Sequence, residues 1–273
     1  MLKYRIITAV ILIPLVLAAI FLLDTFWFCL ILVGIMGLGA LEWGTICGMN
    51  KLESGFYSLF TVSVISLLYF LDNRQINYSI ILIASLLWIG ALVAVISYQY
   101  QKNVISNSPI VLMIIGECLL IPTWTSLYIL KTLPNGGSHL LILLMCLIWG
   151  ADSGAYFIGR KWGKKRLASR VSPGKTWEGT GAGVISGLLI TVFYVIVSND
   201  YFINQWVFIA VSFFTVLMSV VGDLMESMVK RIASIKDSGS ILPGHGGIMD
   251  RIDSLTAAGP VFTLGIILSS RLT

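Results

Sequence analysis

Nine apolar stretches follow one another along these 273 residues, each approaching or reaching the length that crosses a lipid bilayer. They lie at about 6–23, 26–47, 56–71, 78–97, 110–130, 139–158, 181–198, 206–222 and 254–270. A helix needs about 20 predominantly apolar residues to traverse the hydrocarbon core. With only 11% of residues charged, the chain falls outside the range of soluble globular domains. The predicted fold class is all-α: a polytopic integral membrane protein of about nine transmembrane helices. The third stretch is short and has polar flanks, so it is expected either to tilt less or to extend at its ends.

The basic residues orient this array. With the N-terminus in the cytoplasm, the inner side receives Lys3, Arg5, Lys51 and Lys102, seven basic residues at 160–175, and Lys230, Arg231, Lys236 and Arg251. Only Arg74, Lys131 and Arg271 of the 18 fall outside. Such asymmetry follows the positive-inside rule and places both long polar loops, 159–179 and 225–253, on the cytoplasmic face of the inner membrane. A formal charge of +5 is too small to suggest nucleic-acid binding.

The basic start MLKYR resembles a signal peptide, but no small-residue cleavage site follows, so the first stretch is read as a retained helix. Cys29, Cys47, Cys118 and Cys146 all lie in apolar segments without metal-ligand spacing and are expected to be reduced and buried. No linker divides the chain. It reads as one membrane domain, 1–273, with mainly structural spans in 1–138 and the chemistry in 139–273. Glu42 and Glu117, inside apolar stretches, are taken as structural, and Trp and Tyr residues near span ends as interface anchors.

Two constellations carry chemical information. At the end of the eighth stretch, Asp223, Glu226 or Ser227, and Lys230 share one helix face by their spacing. Alone, that pattern suits an interfacial Asp223–Lys230 ion pair. The following loop alters the reading. Gly244, Gly246 and Gly247 flank His245 and let backbone N–H groups crowd an anion, and Asp250 and Asp253 bracket Arg251. Carboxylates of this kind suit a hard cation such as Mg2+, while lysine and arginine neutralise phosphate. The second constellation begins at Asp152, near the cytoplasmic end of the sixth stretch, and continues through the turn Ser172-Pro173-Gly174-Lys175-Thr176-Trp177-Glu178. An intramembrane carboxylate is a functional candidate, and the turn supplies phosphate donors without Walker A spacing. Lys164, Lys165 and Arg166 fit a topology determinant touching anionic headgroups.

The run Ser227-x-x-Lys230-Arg231-x-x-x-x-Lys236-Asp237-x-Gly239-x-x-Leu242-Pro243-x-His245-Gly246-Gly247-x-x-Asp250-Arg251-x-Asp253 resembles the signature of the phosphatidate cytidylyltransferases (CDP-diacylglycerol synthases). Asp152, Ala155-Tyr156, Gly159-Arg160 and Ser172-Pro173-x-Lys175-Thr176-x-Glu178-Gly179 share the resemblance. It covers Trp149 to Ser254, while the N-terminal half is similar only in hydropathy. It implies an Mg2+-dependent membrane enzyme that converts CTP and phosphatidate into CDP-diacylglycerol and pyrophosphate, with membrane lipid as its other partner.

Roles follow from that resemblance as expectations. Asp223, Asp250 and Asp253 bind metal, with Asp152 and Glu178 completing the cation site or orienting a base. Lys230, Arg231, Lys236 and Arg251 hold phosphates, and Asp237 and His245 join the catalytic set. Ser172, Lys175, Thr176 and Ser227 contact substrate, and Gly244, Gly246 and Gly247 shape the turn. A second cation such as K+ stays open, as does a homodimer packed through Gly34, Gly37, Gly39 and Ala40. The alternatives are a CTP-dependent polyprenol- or phytol-type lipid kinase, separable by its CDP product, and a secondary transporter. A transporter more often binds near the midplane, whereas these charges gather at one face.

Overall fold

The computed structural model describes residues 2–102, 105–134, 136–198, 204–235, 238–239 and 246–269, with side chains from Val10 onward except Ile11. Lys236, Asp237, Gly244 and His245 of the expected site, and Arg271 of the charge count, lie outside the described residues. The helices are α1 (Leu2–Leu22), α2 (Thr25–Ile46), α3 (Lys51–Leu71), α4 (Arg74–Gln99), α5 (Pro109–Thr132), α6 (Gly137–Trp162), α7 (Trp177–Ser198), α8 (Gln205–Ile232) and α9 (Met249–Ser269). Eight of them are long and apolar enough to cross a membrane, and α1 adds the shorter apolar stretch Leu12–Leu22. The third span starts earlier than its apolar run, at Lys51, because Asn50 and Glu53 form a reciprocal capping box there.

The most polar elements are also where helix lengths exceed the apolar stretches. α8 runs ten residues past the predicted end at 222, to Ile232. Met, Glu, Lys and Arg are good helix formers, and Glu226 precedes Lys230 by four residues in the favourable orientation for an ion pair. Between α6 and α7 the chain forms an antiparallel hairpin, β1 (Arg166–Ala168) with β2 (Ser172–Thr176), pairing Arg166 with Thr176 and Ala168 with Ser172. The all-α expectation holds for the membrane body; the hairpin is an addition to it. Its tip sits on the end of α4, where Gln99 Oε1 accepts from Arg170 N at 3.0 Å and the Arg170 guanidinium donates to Tyr98 O at 3.1 Å.

α9 is the most enclosed span and packs against α8, α5 and α4. Pro260 lies within it, has no N–H, and so leaves the Thr256 carbonyl without its helical donor. The buried indole of Trp88 supplies that donor, Nε1 to Thr256 O at 3.1 Å. Trp88→Phe removes the donor and, being smaller, also leaves a void, so it is expected to destabilise the protein by at least about 1–3 kcal/mol. Its thermal midpoint in detergent should fall, and an unchanged midpoint would show that the bond contributes nothing.

One sequence expectation needs correcting. Trp43, near the end of its span, is fully buried rather than anchored at the interface, and its Nε1 donates to Leu112 O at 2.7 Å across α2 and α5; Trp124 and Trp88, deeper in their spans, are buried as well. Gly37, Gly39 and Ala40 are buried in the chain's own interior, with Ser58 Oγ donating to Gly37 O at 2.7 Å. These three serve helix–helix packing within the chain, whereas Gly34 is exposed on the same helix. The four cysteines are unpaired thiols, Cys29 and Cys47 buried and Cys118 and Cys146 partly so.

Candidate active site

Gly222 permits the central contact of the site. A Cβ there would stand 2.5 Å from the Asp253 carbonyl oxygen, so only hydrogen lets α8 and α9 approach backbone to backbone at this level. The next residue along α8 is Asp223, which this approach sets beside Asp253, within electrostatic range of it and of Glu226. Gly222→Ala should push the helices apart by a few tenths of an ångström or more. A displacement that reaches about 1 Å at the reacting groups costs on the order of 10²-fold, so turnover is expected to fall by up to that factor. Wild-type turnover by this variant would show that the spacing is not critical.

Cations from two directions meet these acids. Lys175, on β2, reaches across to Asp223 with Nζ 2.7 Å from Oδ2, both side chains about a quarter exposed. Lys230 is buried and lies between Glu226 Oε1 at 3.1 Å and Asp250 Oδ1 at 2.5 Å. Asp152, on α6, is exposed and within range of Lys175, Asp223 and Arg251. Three helices and a hairpin thus bring five carboxylates and at least three cationic side chains to one end of the bundle. The sequence-level pairing of Asp223 with Lys230 does not form; the hairpin lysine takes Asp223 and α9 takes Lys230.

Asp250 is heavily engaged. Its Oδ2 accepts from Gly247 N at 2.8 Å, Ser238 Oγ at 3.0 Å and Ser238 N at 3.2 Å. The Gly247 amide is therefore directed at a carboxylate of the chain itself. Gly246 adopts a positive φ of 78° and has no room for a side chain, since a Cβ would stand 2.5 Å from Asp250 Oδ2.

The other expected residues divide. Arg231 is exposed and its side chain has no hydrogen bond or ion pair among the described residues, a disposition that leaves its guanidinium open to phosphate. Arg251 is exposed at the first turn of α9. Ser227 Oγ donates to Asp223 Oδ1 at 3.3 Å. Ser172 begins β2, three residues from Lys175. Thr176 is buried and caps α7, its hydroxyl accepting from Gly179 N at 3.1 Å, so it supports the loop from below. Glu178 accepts from Lys165 N at 3.2 Å through both oxygens and ties the hairpin closed, apart from the carboxylate cluster.

Two residues escaped the sequence reading. Glu226 shares the Asp223 face but gained no role, because its buried partnership with Lys230 is completed only by Asp250 of α9. Glu42 was read as a deep structural acid. It lies instead near the polar end of α2, where Oε2 accepts from Ser238 Oγ at 3.1 Å and Met249 N at 2.9 Å. Glu117, within α5, accepts from Thr61 Oγ1 at 2.7 Å and does not reach the cluster through any hydrogen bond among the described residues.

For a divalent cation the donor set has suitable chemistry. Asp223, Asp253 and Glu226 lie within electrostatic range of one another, and Glu226, whose Oε1 meets Lys230, keeps Oε2 buried without a partner among the described residues. No three acidic, histidine or cysteine side chains converge on one coordination point among the described residues. Mg2+ commonly binds through one or two carboxylates plus substrate phosphates and water, so that set fits it.

A helical bundle with a mixed-charge, phosphate-suited cluster at one end defines a membrane-embedded enzyme class acting on phosphorylated substrates. Comparison with known proteins narrows the class. Residues 3–268 match the model of the cytidylyltransferase family, and the chain belongs to that family. It is 41% identical over 263 residues to a phosphatidate cytidylyltransferase of Pseudomonas aeruginosa, covering 96% of each chain. It is 38% identical over 281 residues to one of Haemophilus influenzae, covering 96% of this chain and 98% of the other. The similarity therefore runs through the N-terminal half as well, which the motif-based resemblance had confined to hydropathy.

Proposed function

We propose that this chain transfers the cytidylyl group of CTP to phosphatidate, forming CDP-diacylglycerol and releasing pyrophosphate, at the cytoplasmic face of the inner membrane. Its similarity across 96% of its length to relatives named phosphatidate cytidylyltransferase carries the reading. A cytidylyltransferase-family match favours nucleotidyl transfer over the lipid-kinase and transporter alternatives.

The chemistry needs no general base, because the attacking phosphatidate oxygen is already anionic at neutral pH. That oxygen forms a bond to the α-phosphorus of CTP, the bond from the α-phosphorus to the bridging oxygen breaks, and pyrophosphate leaves with the electron pair. The obstacle is repulsion between two phosphate groups, which fixed positive charge lowers most where water is scarce. Lys230 is placed by Glu226 and Asp250 before substrate arrives. Lys175 shares its charge between Asp223 and an incoming phosphate, and Arg231 and Arg251 present guanidinium groups at the rim. Asp223, with Asp253 and Glu226, would hold Mg2+, which when bound neutralises phosphate charge as a Lewis acid.

The test is pyrophosphate release from CTP and phosphatidate in mixed micelles, with and without Mg2+. Expected are metal-dependent release and a CDP-diacylglycerol product. Release of CDP instead, or no release under either condition, would overturn the reading.

A further inference from the structure

We infer that Glu42 is a positioning residue for the transfer site, holding Asp250, and through it Lys230, in place; this rests on the cytidylyl-transfer reading above. Glu42 stands on α2, 196 residues from Ser238 and 207 from Met249, yet its Oε2 accepts from both. Ser238 Oγ is at the same time 3.0 Å from Asp250 Oδ2, so its single proton serves one carboxylate or the other, while Ser238 N bonds Asp250 Oδ2 independently at 3.2 Å. Met249 N belongs to the first turn of α9, one residue before Asp250, and a carboxylate there also complements the helix N-terminus. Glu42 thus contacts two points, Ser238 and the first residue of α9, that each adjoin Asp250.

The backbone is fitted around this carboxylate. A Cβ on Gly239 would stand 2.5 Å from Glu42 Oε1, and one on Gly247 would collide with Glu42 Oε2 and Ser238 Oγ. Thr45, one turn further along α2, adds Oγ1 to Ser238 O at 3.5 Å. Glu42 is 4% exposed and its Oε1 has no hydrogen-bond partner. A half-satisfied buried carboxylate costs stability, which a residue serving packing alone has no reason to bear. The chain of contact runs from Glu42 through Ser238 to Asp250 and then to Lys230, so Glu42 acts on the reaction without touching the phosphates.

The experiment compares Glu42→Leu, Ser238→Ala and the double variant with wild type. It measures kcat and KM for CTP by pyrophosphate release, the thermal midpoint, and amide hydrogen exchange across 246–251. Glu42→Leu is expected to lower kcat about 10²-fold with KM changed far less. Exchange at Gly247 and Met249 should quicken, with little loss of thermal midpoint. The double variant should be no worse than the poorer single one, because both substitutions break the same link. Multiplicative losses, or wild-type kcat in Glu42→Leu, would overturn the inference. If Glu42→Leu does not fold, Ser238→Ala decides: faster exchange at Gly247 with lower kcat supports it, and unchanged values for both refute it. A wild-type protein that released no pyrophosphate would instead sink the transfer reading, and the exchange measurement would still decide whether Glu42 holds 247–250.

Discussion

Lys230→Met should lower turnover about 10²–10³-fold, the scale seen when a fixed charge-stabilising donor is removed from a reaction centre. It should also destabilise the protein by about 3–5 kcal/mol, because Glu226 and Asp250 would be left as buried carboxylates without their counter-ion. The two effects can be separated. In Lys230→Met/Glu226→Gln one of the stranded negative charges is gone, so the thermal midpoint should recover in part while turnover stays low. Pyrophosphate release and thermal unfolding in the same detergent check both arms. A single variant with wild-type turnover would remove Lys230 from the phosphate-binding set.

Asp223→Asn should behave differently. Asp223 and Lys175 are each about a quarter exposed, and an ion pair this open contributes only about 0–1 kcal/mol. The thermal midpoint should therefore stay close to wild type. Turnover is nonetheless expected to fall at least about 10²-fold, and the Mg2+ concentration giving half-maximal release should rise, since a neutral amide is a poorer ligand for a hard cation. An unchanged Mg2+ titration would argue that Asp223 serves only to hold Lys175. The contrast between the variants, one losing stability with activity and the other activity alone, follows from burial rather than from charge.

Most of the membrane body was legible because hydrophobic length is a one-dimensional property. Runs of 16 to 22 apolar residues needed no partner to be recognised as spans, and α2 and α5 begin and end within two residues of where their hydropathy does. The ends of α3 and α8 were not legible from hydropathy, since a capping box and an i, i+4 ion pair extend those helices past their apolar runs. Lys230, Asp250 and Arg251 stood out because they share one polar run in an apolar chain. Glu42 did not, because its hydrogen-bond partners lie about 200 residues away and nothing local distinguishes it from a buried structural acid. The turn at Thr176 and Glu178 was visible as chemistry but not as architecture: one hydroxyl caps α7 and one carboxylate closes the hairpin.

The sequence by itself determined that the chain is a multi-span membrane protein, and that most of its charge gathers in two polar loops and the helix ends beside them. Bilayer thickness and the cost of placing charge in hydrocarbon act on local composition alone. Which charge meets which was decided only in three dimensions. Spacing along α8 suggested Asp223 with Lys230. The α8–α9 approach at Gly222 and the reach of the hairpin instead gave Asp223 to Lys175 and Lys230 to Glu226 and Asp250. Electrostatic partnership depends on distance through space, and only the packing of α2, α6, α8, α9 and the hairpin at one end of the bundle sets those distances.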